Sequence, residues 1–488
     1  MLALLFVFGI LCVFKAPGDP DFGWHYKYGE YIVQHGKILR QNTFSYTFTD
    51  YKWANSYWVS QVVLYLTHYY LGSLVAGLLF AATLSASTVF YVKAVSKNSR
   101  STILLPVLSA ILLFIEFSDN GVTNRPMFFS TLFLMFLVVI LFNDFRETST
   151  KPPNPAKLLV LPVLFLIWAN AHADFILGLL VLGLYVIDRM IMTRVPQPPQ
   201  EWAVRSGTRS EEAVASRLLL CMVGLLSIAV TLINPYGFGL WQTLLKESYP
   251  YQFSHISEWI PVNTNNLYYF IVYCTALGLI VSALIGAHRR LPSWYILALG
   301  AFCIASVRSQ YFLRIAVIVG IPAFIAFWGN PLLNLRNTLS ANLVKKIKAG
   351  LVALLALSTL SISTVFLTDV EQKYPKDALD FALANNIKGN VFNYYGWGGY
   401  MIWKYPQVKT FVDGRMPSWR EGNKSVFEDY IKVTNAPKKN SKILSDYGVS
   451  WILCPKDSEF TKFLRTSNSG WKEVYSDDVA SVFGIMCL

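Results

Sequence analysis

The sequence predicts a polytopic α-helical membrane protein with about eleven transmembrane helices and a small C-terminal α/β domain. Hydrophobic residues make up 54% of the 488 residues, charged residues make up only 15%, and the mean hydropathy is +0.41. A soluble globular protein carries roughly 25% charged residues, so most of this chain's surface faces something other than water. Apolar runs recur along the chain up to residue 367, and the sequence after residue 369 is polar.

The apolar runs are close to the roughly 17 to 25 residues that a helix needs to cross a bilayer, although several are shorter. The first run, Met1 to Phe14, has neither a basic leader nor a small-residue cleavage pattern, which favours a transmembrane helix over a signal peptide. The predicted spans are 1–14, 73–95, 101–117, 126–143, 158–171, 175–191, 218–233, 267–287, 292–306, 311–329 and 349–367.

The basic residues indicate how these spans are oriented. The net charge is +13, from 42 basic and 29 acidic residues, and the basic residues collect in alternate short loops between the apolar runs. Basic loops stay on the cytoplasmic side of a membrane, so the pattern predicts an N-in, C-out topology. It also indicates that the charge serves membrane orientation and not nucleic-acid binding.

Two stretches are predicted to lie outside the membrane on the extracytoplasmic side. The first is the loop 15–72 of the transmembrane domain 1–369, in which aromatic stripes at helical spacing predict two helices lying in the interface. A Gly-Ser pair at 72–73 is expected to separate the second of these helices from the next span. The second stretch is an α/β domain, 370–488, with helical patterns from Lys376 and Ser441 and strand-like runs at 391–394, 409–412, 449–453 and 479–483.

Polar residues gather at the extracytoplasmic ends of the predicted spans. Ionisable groups beside apolar spans are energetically unfavourable and tend to be functional. The alternative for any one of them is an interfacial residue that caps a helix or extends its charge to water. The set comprises Asp19, Asp21, Arg125, His172, Asp174, Asn234, Glu258, Arg308 and Arg314.

The segment Asp19-Pro20-Asp21 directly follows the first span, which places both carboxylates in the outer interface. They are candidates for a general base, or for a DxD-type pair of ligands to Mg²⁺ or Mn²⁺ with Glu258 as a further ligand. Alternatively, Asp21 simply caps the helix that follows. His25, one turn further on, either packs in the fold or takes part in acid-base chemistry.

These motifs resemble the GT-C superfamily, polytopic glycosyltransferases that use lipid-phosphate-linked sugars and include protein O-mannosyltransferases and the aminoarabinose transferase of lipid A. The resemblance implies a first outer loop with interfacial helices and a multi-span body that ends in an outer α/β domain. It extends over nearly the whole chain, in DPDFGWHYKYGEYIVQHG (19–36), NTFSYTFTDYKWANSYWVSQVVLYL (42–66), RPMFFS (125–130), WANAHADF (168–175), INPYG (233–237), SEW (257–259), FNYYGWGGYMIWKYP (392–406) and FVDGR (411–415).

Three pieces are also similar to the catalytic subunit of oligosaccharyltransferase. Its acidic DP-aromatic motif resembles residues 19–22, its Ser-Val-Ser-Glu motif resembles 254–258, and its WWDYG motif resembles 394–398. The aspartate of WWDYG is absent here, so recognition of a peptide sequon is not carried over. In the outer domain, Trp397, Asp413 and Arg415 are candidates for acceptor recognition, and the last two are also candidates for a structural ion pair.

The resemblance implies a glycosyltransferase that moves a sugar from a polyprenyl-phosphate donor to a glycan, lipid or protein acceptor, with inversion, in a bacterial-type inner membrane. Such a transfer passes through an oxocarbenium-like centre and needs a base for the acceptor proton and cations for the departing phosphate. Asp21, or next Asp19, is the expected base, and Arg308 and Arg314 are the expected phosphate ligands. Arg125 is a further candidate for binding the phosphate, and Glu258 either supports the site or faces a metal ion, or is an ordinary loop residue. His172 and Asp174 either line the substrate cavity or form a turn pair.

Two other functions remain as alternatives. A non-catalytic GT-C-like protein would bind a lipid-linked glycan without turnover. A transporter or flippase is less favoured, because such proteins usually have charged, broken helices near the membrane centre, whereas these spans carry their polar groups at one end. The sequence specifies no cofactor, and Mg²⁺ or Mn²⁺ at Asp19 and Asp21 is left open.

Overall fold

The computed structural model of the protein describes residues 2–14, 19–97, 104–119, 122–148, 155–191, 206–246, 252–256, 258–262, 267–288, 291–338 and 370–485, with single positions between 340 and 353. The chain divides into two compact units. The first, here called the helical unit, comprises Met1–Phe14, Gly77–Phe238 and Phe253–Val365; the second, the mixed unit, comprises Lys15–Ala76, Gly239–Gln252 and Phe366–Leu488. The first outer loop therefore belongs to the same compact unit as the C-terminal domain.

The helices follow the predicted apolar and amphipathic patterns. Up to residue 338 they are α1 (Leu2–Val13), α2 (Phe22–His35), α3 (Trp58–Ser96), α4 (Leu104–Asp119), α5 (Met127–Thr148), α6 (Val160–Ala171), α7 (Phe175–Ile191), α8 (Ser206–Ala229), α9 (Phe238–Lys246), α10 (Gln252–His255), α11 (Leu267–Ala287), α12 (Ser293–Arg308) and α13 (Tyr311–Thr338). In the C-terminal domain they are α14 (Lys376–Ala384), α15 (Gly398–Lys404), α16 (Val426–Asn435), α17 (Pro437–Asn440), α18 (Lys442–Asp446) and α19 (Glu459–Leu464).

Among the described residues, five helices are long and apolar enough to cross a membrane, which indicates an integral membrane protein. They are Trp58–Ser96, Met127–Glu147, Val214–Leu232, Phe270–Ala287 and Tyr311–Gly329. Shorter apolar helices, such as Ser293–Arg308, account for other predicted spans. The predicted span 349–367 lies outside the described residues, and the count of eleven and the N-in, C-out orientation stay predictions.

The helical unit is built around α13. In the span Tyr311–Gly329, 78% of the apolar segment is buried inside the protein. In the span Val214–Leu232, only 22% of the apolar segment is buried. α13 packs against α4, α11 and α12. Side chains such as Ile318 and Val319 are fully buried at these contacts. A polar side chain in the first turn of α13 is therefore closely surrounded by neighbouring helices.

α3 is interrupted at Gly72, where the backbone has φ 73° and ψ 160°. This conformation is essentially restricted to glycine, because any side chain would clash with the backbone. The break separates the amphipathic stretch from Trp58 onward from the apolar stretch that follows, as the Gly-Ser pair at 72–73 predicts.

The C-terminal domain contains a four-stranded sheet in the order β1-β2-β4-β3. β1 (Asn390–Asn393) pairs with β2 (Val449–Pro455) in parallel, and β2, β4 (Ala480–Ile485) and β3 (Trp471–Ser476) pair antiparallel. Helix α14 packs its buried Ala378 against the sheet. The α/β prediction for residues 370–488 is thus correct in kind and in three of its strands.

The predicted strand 409–412 is wrong. Only an isolated bridge between Thr410 and Ser45 forms there. The N–H groups of Phe411 and Val412 donate to the side-chain oxygen of Asn393, at 2.7 and 3.4 Å, so a side chain takes the place of a partner strand. The strand β3 was missing from the prediction; its burial alternates along the strand, which is typical of a half-exposed edge strand.

Candidate functional site

The Asp-Pro-Asp segment lies at the N-terminus of α2 in the mixed unit. The N–H of Asp21 donates to Asp19 Oδ1 at 2.8 Å, so the Asp19 carboxylate shapes the turn that leads into the helix. Asp21 occupies the N-cap position, yet its carboxylate makes no capping bond to the helix backbone. The N-cap alternative therefore describes where Asp21 lies and not what its side chain does.

The carboxylate of Asp21 is in contact with a helix turn and with a distant loop. Trp24, one turn further along α2, donates its indole N–H to Asp21 Oδ1 at 3.1 Å. Gly414, in the C-terminal domain, approaches the same oxygen so closely that a Cβ built on it would lie 1.7 Å from Oδ1. The position of this carboxylate thus depends on two parts of the mixed unit that are far apart in the sequence.

Glycines allow the first loop and the C-terminal domain to meet backbone against backbone. A Cβ on Gly399 would lie 1.9 Å from the carbonyl oxygen of Pro20, and a Cβ on Gly23 would lie 1.9 Å from the carbonyl oxygen of Gly399. A side chain at either position is excluded by this contact. The backbone of the Gly-rich run around Gly399 thus lies directly against the Asp-Pro-Asp segment.

Asp413 and Arg415 form a buried ion pair in the loop that carries Gly414. Arg415 Nε and Nη2 donate to Asp413 Oδ1 and Oδ2, both at 2.7 Å, and both side chains have 0% exposure. Arg415 Nη1 also donates to the hydroxyl of Tyr28 on α2, at 3.1 Å. Burial lowers the pKa of Arg415, but Asp413 and Tyr28 outweigh burial, and the pKa lies above its usual value. The pair links this loop to α2.

His25 and Trp397 are buried in the mixed unit. Gln61 donates an amide N–H to His25 Nδ1 at 3.1 Å when His25 carries its proton on Nε2, and Gln61 Oε1 accepts from Asn55 at 2.7 Å. The His25 ring also packs against Trp24, with ring centroids 3.5 Å apart and the ring planes tilted by 33°. Trp397 is 5% exposed and belongs to the apolar core of the C-terminal domain. This environment supports a packing role for both residues.

The helical unit has its own polar cluster, centred on Asp174 at the start of α7. Arg314 Nη2 donates to Asp174 Oδ2 at 3.1 Å, and the Tyr311 hydroxyl donates to Oδ1 at 2.5 Å. Arg314 Nη1 donates to the Thr131 hydroxyl of α5 at 2.9 Å, and the Arg314 side chain is only 2% exposed. A cavity of about 10 Å³, roughly enough for one water molecule, adjoins Thr131, Asp174 and Arg314.

His172 completes this cluster in the short turn between α6 and α7. Its Nδ1 accepts the backbone N–H of Asp174 at 3.1 Å, which places the ring proton on Nε2. Burial lowers the pKa of His172 to about 4, against the opposing effect of Asp174 and with a further lowering from Arg314. Burial raises the pKa of Asp174, but the Arg314 guanidinium and the Tyr311 hydroxyl contribute to a net lowering. At neutral pH the cluster thus holds a neutral imidazole beside an ionised Asp174 carboxylate.

Arg125 and Glu258 form a second ion pair in the helical unit. The backbone of the Glu258 loop is attached to the start of α13, because the Tyr311 N–H donates to the Glu258 carbonyl at 3.0 Å. Trp259 stacks on the Tyr311 ring, with centroids 4.5 Å apart. Through Tyr311, this pair is connected to the Asp174–Arg314 cluster.

The structure thus brings together five of the residues predicted for the site: Arg125, His172, Asp174, Glu258 and Arg314. Arg308, the last residue of α12, is exposed and lies outside this set of contacts. Asp19 and Asp21 belong to the mixed unit, and Arg308 and Arg314 belong to the helical unit. The predicted meeting of the acid pair with the two arginines stays a prediction.

A metal site was considered from the sequence at Asp19, Asp21 and Glu258. Among the described residues, no group of three or more His, Cys, Asp and Glu side chains lies close enough together to hold a metal ion. Glu258 is paired with Arg125, and Asp19 and Asp21 accept N–H bonds from the protein. These contacts do not form a ligand set, so no step of the chemistry below is assigned to a metal.

Sequence reasoning missed several residues that shape these clusters. Tyr311 and Thr131 resemble ordinary residues of apolar helices, and Trp24 and Tyr28 resemble members of an aromatic stripe. Gly414 carried one usable signal, since a glycine between Asp413 and Arg415 indicates a tightly constrained loop. Apart from Trp24, whose partner Asp21 lies one helical turn away, their partners are remote in sequence, so no local pattern could have identified the contacts.

No family model matches the sequence, and no curated protein resembles it significantly. Solved structures share its fold. The archaeal oligosaccharyltransferase AglB from Archaeoglobus fulgidus, in complex with an inhibitory peptide and a dolichol-phosphate, matches with a TM-score of 0.56 and 11% identity over 95% of this chain and 70% of that chain. An oligosaccharyltransferase from Archaeoglobus fulgidus tethered to an acceptor peptide containing the NVT sequon matches with a TM-score of 0.55 and 9% identity over 93% of this chain and 69% of that chain.

A third structure is ArnT from Cupriavidus metallidurans bound to undecaprenyl phosphate, with a TM-score of 0.50 and 12% identity over 99% of this chain and 96% of that chain. At such low identity these likenesses show the fold alone. The fold that this chain shares with them confirms the structural part of its resemblance to the GT-C superfamily.

Proposed function

We propose that this integral membrane protein of GT-C fold is a glycosyltransferase that moves a sugar from a polyprenyl-phosphate donor to an acceptor on the extracytoplasmic face, with inversion. One observation carries the proposal: Asp21 stands at the N-terminus of α2, yet its carboxylate makes no capping bond to that helix and is in contact with Trp24 and Gly414. A carboxylate held in this way is suited to chemistry more than to helix stability.

The fold supports the class of donor. The AglB structure holds a dolichol-phosphate, and the ArnT structure holds undecaprenyl phosphate. Both ligands are long polyprenyl chains with a phosphate head. This chain covers 70% of the AglB chain and 96% of the ArnT chain. Its helices are also apolar enough to contact a lipid within the bilayer.

In the proposed reaction, the acceptor hydroxyl or amine attacks the anomeric carbon from the face opposite the phosphate. Asp21 removes the acceptor proton as the new glycosidic bond forms, and the bond to the phosphate oxygen breaks. The leaving phosphate is a weak base, so it needs charge neutralisation more than a proton. Asp19, whose Oδ1 accepts the N–H of Asp21, holds the turn and is the second choice for the base.

The arginines take different roles in this proposal. The exposed Arg308 is the better candidate for binding the donor phosphate, because its guanidinium is accessible. Arg314 directs its donors to Asp174 and Thr131, and Arg125 pairs with Glu258. We assign to these two arginines, together with His172, the role of shaping the wall of the expected substrate cavity.

The test uses the full chain in nanodiscs with a radiolabelled polyprenyl-phosphate sugar and a membrane extract as the source of acceptor. Asp21→Asn should reduce transfer on the order of 10²-fold or more, because the base is lost while the size of the side chain is kept. The matched control is Asp50→Asn, which changes an exposed carboxylate of the same loop and should keep full activity. If Asp19→Asn and Asp21→Asn both transfer sugar at the rate of the unchanged protein, the proposal is wrong. Binding of the donor without turnover in the unchanged protein would indicate the non-catalytic alternative.

A further inference from the structure

We propose that Gly414 is a positioning residue for Asp21: the C-terminal domain places a glycine against the carboxylate and thereby sets where the proposed base stands. This inference rests on the proposed function of Asp21. It assigns the C-terminal domain a part in the chemistry that is separate from any recognition of the acceptor.

The glycine at position 414 is required by space and not by backbone conformation. Its φ lies outside the range that disfavours ordinary side chains, so an alanine would fit the backbone. A Cβ, however, would lie 1.7 Å from Asp21 Oδ1, 2.9 Å from Asp21 Cγ and 3.2 Å from Trp24 Nε1. The atoms that a methyl group meets are thus the carboxylate and its hydrogen-bond donor.

The loop around Gly414 is held too firmly to move away. Asp413 and Arg415 on either side of it form the fully buried ion pair, and Arg415 is also bonded to Tyr28. The preceding Val412 is bound through both backbone groups by the Asn393 side chain, whose Nδ2 donates to the Val412 carbonyl at 2.9 Å. An added methyl group is therefore accommodated by displacing the end of the Asp21 side chain, which breaks its bond from Trp24.

The first experiment measures Gly414→Ala in the sugar-transfer assay with the full chain in nanodiscs. Misplacement of a catalytic group by about 1 Å is expected to lower kcat on the order of 10²-fold. The KM for the polyprenyl-phosphate sugar should stay unchanged, because the donor is bound elsewhere. The matched control is Gly484→Ala in β4 of the same domain, whose added methyl group would lie 3.9 Å from Val474 Cγ1, an ordinary van der Waals contact, and it should retain full activity.

The second experiment reads the contact without any need for activity. The protein is labelled with 5-fluorotryptophan, and the ¹⁹F signal of Trp24 is identified by its loss in Trp24→Phe. Gly414→Ala should shift this signal, and Gly484→Ala should leave it in place. Trp24→Phe, which keeps the ring packing and removes the N–H, should lower kcat with an unchanged KM, so a result is available even if Gly414→Ala folds poorly.

The outcomes separate this inference from the proposed function. If Asp21→Asn is inactive and Gly414→Ala and Trp24→Phe are fully active, the proposed function stands and the positioning role is wrong. A ¹⁹F signal of Trp24 that is unaffected by Gly414→Ala would likewise overturn the positioning role. If Asp21→Asn is fully active, the proposed base is wrong, and the positioning role falls with it even where the ¹⁹F shift confirms the contact.

Discussion

Two buried arginine–aspartate pairs, one in each unit, are built in opposite ways. Asp413 and Arg415 are two residues apart, share two bonds of 2.7 Å and are both 0% exposed. Asp174 and Arg314 are far apart in the chain, share one bond of 3.1 Å, and are 11% and 2% exposed. In the first pair, Arg415 binds one carboxylate with two donors and the Tyr28 hydroxyl of α2 with a third. In the second pair, Arg314 donates to Asp174 and to Thr131 of α5.

The difference indicates what each pair does. A local, doubly bonded pair fixes the shape of its own loop and leaves Gly414 at a set position. A distant pair joins three helices, α5, α7 and α13, and its geometry depends on how those helices pack. Breaking a buried pair leaves an uncompensated charge, at a cost of about 3 to 5 kcal/mol. The following predictions test whether the two pairs differ as their geometry indicates.

The largest effect is expected for Arg415→Met. It leaves the Asp413 carboxylate buried without its cation and should lower the free energy of unfolding by about 4 kcal/mol. The double variant Asp413→Asn/Arg415→Met should recover part of this loss, because the buried charge is then gone. Melting temperatures of the full chain in detergent provide the measurement. Equal melting temperatures for the single and the double variant would show that the two residues are not coupled.

A somewhat smaller loss, about 3 kcal/mol, is expected for Arg314→Met. Asp174 keeps its bond from Tyr311 in this variant, so part of the compensation of its charge survives. Arg308→Met is the matched control: Arg308 is exposed, and its replacement should change stability by no more than about 0.5 kcal/mol. Thermal unfolding in the same detergent compares the two, and a larger loss for Arg308→Met would contradict the assignment of Arg314 to the buried network.

The smallest effect concerns pH and the helical unit. His172 has a pKa of about 4 in the folded protein against an ordinary value of 6.5, so the unfolded chain binds its proton first as the pH falls. The stability that His172 contributes is complete above pH 6.5 and is lost towards pH 4, by about 2 kcal/mol at pH 5. The lowered pKa of Asp174 acts in the same direction.

His172→Asn removes the titrating ring and keeps an acceptor for the Asp174 N–H. Its melting temperature should therefore fall less between pH 7.5 and pH 5 than that of the unchanged protein. The Arg415 pair provides an internal reference, since its arginine keeps its charge throughout this range. An identical pH dependence in both proteins would mean that His172 is not the group that makes the helical unit sensitive to acid.

Local sequence patterns were sufficient for much of the architecture. Apolar length predicted the helices of the described spans, Gly72 marked the break in α3, and the polar tail indicated an α/β domain. Because Asp413 and Arg415 are two residues apart, a structural ion pair was one of the two interpretations of that motif, beside acceptor recognition. Each of these features depends on residues within a few positions of one another, which is the range over which sequence periodicity and turn chemistry act.

The tertiary structure alone decided which side chains meet. The Asn393 side chain takes the place of a strand partner at residues 411 and 412. Tyr311 and Thr131 bind Asp174 and Arg314, and Gly414 lies against Asp21. These contacts join residues that are remote in the chain, and they exist only because packed helices and loops leave a single place for each buried polar group. The sequence by itself determined the class of fold and the candidate acids; packing determined which of them are bound to one another.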